Sequence, residues 1–227
     1  MMHDGAPSLL AWPIMYKLHV GAVGAPRFAL CMCVVLAVLL VEACGKEEAA
    51  AGFGLELHKP AAWTYVTAGV SGAQGDAVRY DAATLAKAID SHTSAPLFAL
   101  LKRAPPQNGM NPTFGINLDR SAATRGQTAL ALLAVRVARA SDKGPFQVAQ
   151  AAVVSKLAGL DAAQAELRSP EGQAQGAQTR VRLNLVVIGD VTVLLAATDT
   201  VSGDNDASAE FQQILDSVRF TGMPPAH

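Results

Sequence analysis

The side chains able to do chemistry are few and far apart in this chain of 227 residues. Beyond residue 43 its histidines are His58, His92 and His227. His58 precedes a predicted turn, His92 ends a predicted helix and His227 is the last residue. No two stand at the helical spacing that lets one face hold zinc. A general acid or base also needs an oriented partner, which the flanking residues do not supply. Gly69-Val70-Ser71-Gly72 begins like a nucleophile elbow, whose strained turn exposes a serine. That turn needs glycine two residues beyond the serine, and Ala73 stands there. Ser71 is therefore read as a loop serine. Gly72-Ala73-Gln74-Gly75 lacks the Lys-Ser/Thr that completes a phosphate loop. Asp199, Asp204, Asn205 and Asp206 form an oxygen-rich stretch without the alternating ligands, central glycine and terminal glutamate of a helix-loop-helix calcium site. Acidic groups at the positive end of a following helix account for it. Arg180 and Arg182 alternate with Val181 and Leu183, so they share one strand face. With Arg168 they offer a basic patch or, more simply, a solvated sheet face. No catalytic residue is assigned, and neither a metal ion nor a cofactor is expected.

One cysteine is different. Phe28–Val41 is an unbroken apolar run of 14 residues. A helix crossing a bilayer needs ~20; the core of a signal peptide is this short, and Lys17 and Arg27 supply its positive flank. Next comes Val41-Glu42-Ala43-Cys44-Gly45. The aliphatic residue three before the cysteine and the small residue just before it resemble the bacterial lipobox. Glu42 departs from the uncharged residue usual between them. The resemblance implies that residues 1–43 are a signal peptide, that cleavage precedes Cys44, and that Cys44 carries a diacylglyceryl thioether and an N-acyl chain. At ~0.8 kcal/mol per buried CH₂, two or more chains anchor stably where one binds marginally. The rival readings are an ordinary signal peptide cut elsewhere and an uncleaved anchor. Met15 is a plausible start, since it retains Lys17 and Arg27. Cys31 and Cys33 would leave with the signal peptide, so no internal disulfide is expected. Residues 44–52 then form the lipidated cysteine and its tether, the eight residues after Cys44 spanning roughly 15 Å. Gly45 is not the aspartate that lipoprotein sorting rules associate with the inner membrane. The expected location is the cell envelope, on the outer membrane facing the periplasm if the cell has two membranes.

Charge excludes other partners. Lysine plus arginine number 18 against 19 acidic residues, a net −1. Removing Lys17, Arg27, Asp4 and Glu42 with residues 1–43 leaves that balance unchanged. Nucleic acid needs a basic face to neutralise phosphates, and anionic lipid needs a polybasic patch. Neither is present. The chain is 51% hydrophobic but only 5% aromatic, so a core must be built mainly from Leu, Val and Ile.

The elements that would position any site follow from periodicity. Phe53–Leu57 alternates as a strand, Pro60 breaks it, and Trp63–Thr67 returns as a second strand to complete a hairpin. Gly69–Gly75 reads as loop. Asp81 caps a helix whose Leu85, Ala88, Ile89 and His92 share a face. Leu97–Lys102 and Phe114–Leu118 form a second hairpin around Ala104–Pro112. Leu130, Leu133, Ala134 and Val137 make the apolar stripe of a helix ended by Gly144-Pro145, with Arg139 opposite. Gln147–Leu157 and Ala163–Ser169 are weaker strands. Arg180–Ile188 and Val191–Ala196 flank the two-residue turn Gly189-Asp190, the clearest hairpin of the chain. Ala207, Phe211, Ile214, Leu215 and Val218 stripe a last helix, and Val218–Phe220 a last strand. Hairpins with helices between them make an α+β domain, an antiparallel β-sheet covered by helices.

The order of these segments resembles the PsbP-like and DcrB-like proteins. The opening Phe53–Trp63, the pair Ala95–Lys102 and Asn111–Leu118, and the close Glu210–Phe220 carry the resemblance, which spans residues 53–220 and leaves 221–227 as a tail. It implies an antiparallel sheet sandwiched by helices, in small lipid-anchored or lumenal accessory proteins without known catalysis. The expected function is that of a non-catalytic envelope lipoprotein, membrane-bound through Cys44, that binds or helps assemble an envelope protein. Alternatives are a small-molecule or metal-binding lipoprotein and, third, an envelope hydrolase. The candidate partner surface is the loop Pro105, Pro106, Gln107, Asn108, Gly109 and Met110, longer than its hairpin requires and stiffened by proline.

Overall fold

The structure, a computed structural model, describes residues 52–65, 73–90, 96–103, 110–120, 125–170, 178–201, 203 and 205–223. In chain order the elements are β1 (Gly54–His58), β2 (Thr64–Tyr65), β3 (Ala73–Gln74), β4 (Ala77–Tyr80), α1 (Ala82–Asp90), β5 (Phe98–Leu101), β6 (Thr113–Arg120), α2 (Ala129–Lys143), β7 (Gln147–Leu157), β8 (Leu160–Arg168), β9 (Thr179–Ile188), β10 (Val191–Thr200), α3 (Ser208–Ser217) and β11 (Arg219–Thr221). They form two antiparallel sheets. The small one runs β11-β1-β4-β3 and the large one β2-β5-β6-β10-β9-β8-β7.

The α+β class stands, as do most of the predicted elements. The first hairpin does not. The chain turns at Pro60 as expected, Trp63 N–H donating to its carbonyl at 2.9 Å. But β2 pairs with β5 in the large sheet, while β1 lies between β11 and β4. Burial of the indole decides this. Trp63 sinks into the core edge-on to Phe211, ring centroids 5.4 Å apart, and carries the following residues across to the other sheet. Ala73–Gln74, expected as loop, pairs with β4 across a Gly75-Asp76 turn.

Two cores flank the large sheet because strand residues alternate between its faces. One face meets β1, α1 and α3, with Phe98, Phe114, Ile116, Val193, Leu195 and Val186 buried against them. On the other, Ala163, Ala165 and Leu185 meet Ala129, Leu133 and Val137 of α2. Helix α2 starts where Thr128 Oγ1 accepts from Ala131 N–H at 3.2 Å and stops at Gly144. Ala134, expected on its apolar face, is exposed. A single methyl group gains too little from burial, at ~0.8 kcal/mol per carbon, to turn the helix away from Leu133 and Val137. Asp81 does cap α1, accepting from Thr84 N–H at 2.7 Å. The β5–β6 hairpin forms as predicted, and Asn111 clamps the base of its loop by accepting from Arg103 N–H and donating to the Arg103 carbonyl.

Candidate functional site

Three surfaces gather the polar and exposed groups. The first lies where β9 and β10 meet the start of α3. The Gly189-Asp190 turn sets the register that places Arg180 opposite Asp199. Asp199 is 1% exposed and Arg180 11%, so neither sits on a solvated face. Arg180 donates through Nε to Asp199 Oδ1 at 2.9 Å and through Nη2 to Asp199 Oδ2 at 2.7 Å. The same Nη2 reaches Asp206 Oδ1 at 2.9 Å and Ser208 Oγ at 2.7 Å. Arg182 donates to Asp199 Oδ2 and Ser208 Oγ, and its guanidinium lies 5.3 Å from the Phe211 ring centroid. The hydroxyl of Ser208 in turn donates to Asp206. Two positive and two negative groups cancel. The expected acidic cap is present in part: Asp206 accepts from Ser208 N–H at 2.9 Å, and Asp199 from Ala207 N–H at 3.0 Å. The hydrogen bonds from Ser208, with Arg180 beside them, pull the Asp206 carboxyl down to about 2. The bond to Asp199 raises the basicity of Arg180 further. Every charge is spent on another, so the cluster fastens α3 to the sheet. Arg168 is likewise engaged, with Glu166 at 2.6 Å. The basic patch considered from sequence is therefore neutralised.

The second surface is a cleft of about 250 Å³ between the β8–β9 face and α3, where Gln164, Asn184, Gln212, Asp216, Arg219 and Lys156 converge above Leu157 and Leu215. Gln164 and Asn184 are register partners. Gln212 Nε2 donates to Asp216 Oδ1 at 2.8 Å.

The third is strand β7 at the end of the large sheet. Gln147–Ser155 carries no charged side chain. Val148, Val153 and Val154 are 43%, 39% and 67% exposed. Val148 is in register with Leu167 and Val154 with Ala163, so both face the α2 side, whereas Val153, in register with Gln164, faces the other. Two register shifts, between Val148 and Gln150 and between Gln150 and Val153, leave Ala149, Ala151 and Ala152 without a register partner on β8. Bulges of this kind and the nearby Lys156 are common guards against indiscriminate edge pairing.

Of the residues singled out from sequence, Cys44, residues 105–109 of the loop, Ser71, Gly72, Asp204, His92 and His227 lie outside the described residues. Met110 is half-buried. His58 is exposed, its Nε2 3.7 Å from Glu56. Among the described residues no group of three or more His, Cys, Asp or Glu could hold a metal ion, and no helix is long and apolar enough to cross a membrane. The Arg180–Asp199 pair went unforeseen although its signal was present, because a two-residue turn at 189–190 dictates that pairing. The exposure of β7 had no such signal.

No known protein family and no curated protein matches the chain. Among solved structures it is similar to LpqN of Mycobacterium tuberculosis, described as involved in cell envelope biogenesis, at 13% identity and TM-score 0.44, covering 74% of this chain and 83% of that one. A structure from Bacteroides thetaiotaomicron is 13% identical with TM-score 0.35, covering 73% of this chain and 44% of that one. PA94 of Pseudomonas aeruginosa, a protein of unknown function, is 11% identical with TM-score 0.42, covering 73% and 98%. At these identities and scores the reading of the site rests on its own geometry.

Proposed function

We propose that the chain is a lipid-anchored, non-catalytic module of the cell envelope, of the PsbP-like and DcrB-like kind, that works by protein contact near the membrane surface. The anchor is Cys44, on the outer membrane facing the periplasm where a cell has two membranes. The observation that carries the reading is β7, an eleven-residue sheet edge with three exposed valines and no charge across its first nine residues. An uncovered apolar edge offers backbone hydrogen bonds and apolar area to another chain. A photo-crosslinking residue in place of Val154 should yield protein adducts on irradiation of intact cells, and the same residue in place of Arg139 should not. No adduct from position 154 overturns protein contact at this edge. The anchor has its own test: Cys44→Ala should abolish fatty-acid labelling, and labelling that persists removes Cys44 from the proposal.

A second reading, binding of a small polar ligand, is favoured by the cleft at Gln164 and Asn184. Saturable binding of such a ligand, lost in Gln164→Ala/Asn184→Ala, would establish it; binding that survives those changes excludes this cleft.

A further inference from the structure

We propose that β7 pairs with β7 of a second copy of this chain, antiparallel about a two-fold axis at Ala151. This rests on the reading of β7 as a protein-contact edge and names its occupant. A two-fold contact must be self-complementary, residue i meeting j while j meets i. With the axis at Ala151, Val148 of each copy lies opposite Val154 of the other. Those valines share a sheet face, as their register with Leu167 and Ala163 shows, so two exposed pairs are covered at once. Val153 then meets Ala149, and Gln147 meets Ser155.

Charge and size agree with this occupant. Like charges opposite one another would repel, and Gln147–Ser155 has none. The nearest charge, Lys156, falls outside the nine paired residues and lies 2.5 Å from Asp161 of its own chain. On the side away from β8 no strand among the described residues pairs with β7, so a new strand can be added along that edge. Nine paired residues at ~3.4 Å make an edge roughly 31 Å long and, for a sheet ~10 Å thick, about 310 Å² per copy. A standard stable interface takes ~800 Å² from each partner. The pairing is accordingly a reversible dimer, promoted where lipid anchors confine copies to one surface.

The axis makes a sharp test. Opposed residues of an antiparallel pair lie ~4.5–5.5 Å apart at Cα, within disulfide range. The full-length protein in its own membrane, carrying Ala151→Cys, should give a thiol-sensitive dimer under mild oxidation. Val148→Cys should give several-fold less, because the two positions 148 would be six residues out of register. Adding Val154→Lys to Ala151→Cys should cut the dimer several-fold. The proposal falls if Ala151→Cys and Val148→Cys link equally, or if Val154→Lys leaves linking unchanged. Should that happen while the photo-crosslinker at position 154 still yields adducts with another protein, the contact edge stands and only its occupant is wrong. Loss of both signals removes the edge as well.

Discussion

Strands β7 and β10 belong to one sheet and are both more than half apolar, yet they meet opposite fates. β10 lies between β6 and β9 and is buried along most of its length; β7 has one ladder partner and is exposed along most of its own. Val193 and Val154 are the same residue type with the same strand propensity. The first is fully buried and the second is 67% exposed. What separates them is rank in the sheet: a central strand is closed on both edges and both faces, while an outer strand keeps one edge open whatever its composition. Energy for folding should therefore concentrate on β10 and its neighbours, leaving β7 free for contact.

The hardest test of that contrast is Asp199→Ala at the end of β10. It leaves Arg180 and Arg182 without their shared carboxylate in a mostly buried position, which should cost ~3–5 kcal/mol in a denaturant titration; a loss below ~1 kcal/mol would show that water already screens the cluster. Leu195→Ala, at 1% exposure, should cost ~2–5 kcal/mol. A value like that of a surface site would refute the central place given to β10.

Acid should reach the same cluster from another side. The Asp206 carboxyl is lowered from 3.8 to about 2 in the folded chain. Its contribution is complete above the unfolded value near 4 and is lost as pH falls through about 2. Asp206→Asn should flatten that part of the acid limb of stability, measured between pH 4 and 2. An unchanged limb would assign acid sensitivity to Asp81 and Glu210, whose carboxyls are also lowered, by hydrogen bonds from Thr84 and from Lys102 respectively.

The two hairpin turns sharpen the contrast further. Gly189 takes the positive φ of +62° in the β9–β10 turn, whereas the β7–β8 turn puts Ala158 at +50°. An L-residue with a Cβ pays ~1–2 kcal/mol there, and asparagine tolerates it better. Ala158→Asn should stabilise the protein by ~0.5–1 kcal/mol in thermal melts; destabilisation would mean the turn differs from that described. Smallest of all, Val154→Ala should change stability by no more than ~0.5 kcal/mol. A cost near that of Leu195→Ala would show β7 covered by the protein's own chain.

Legibility from sequence followed the range of the deciding interactions. The β9–β10 hairpin, the cap at Asp81, the Thr128–Gly144 helix and the β5–β6 pair depend on neighbours a few residues away, and each was readable. The β1–β2 hairpin was misread because its outcome depends on Phe211, far along the chain, which holds Trp63 in the core. The Arg180 cluster was half readable: strand parity placed both arginines on one face, but only the docking of α3 made that face interior.

Sequence alone determined the apolar run before Cys44, the near-neutral charge, the antiparallel α+β class and most element positions, since these depend on composition, periodicity and turn chemistry within short windows. Tertiary structure alone decided the split into two sheets, the burial of Arg180 and Asp199, and the exposure of β7. Strand order is a long-range choice made by the whole core at once, and no local pattern records which of two apolar strands will be left at the edge.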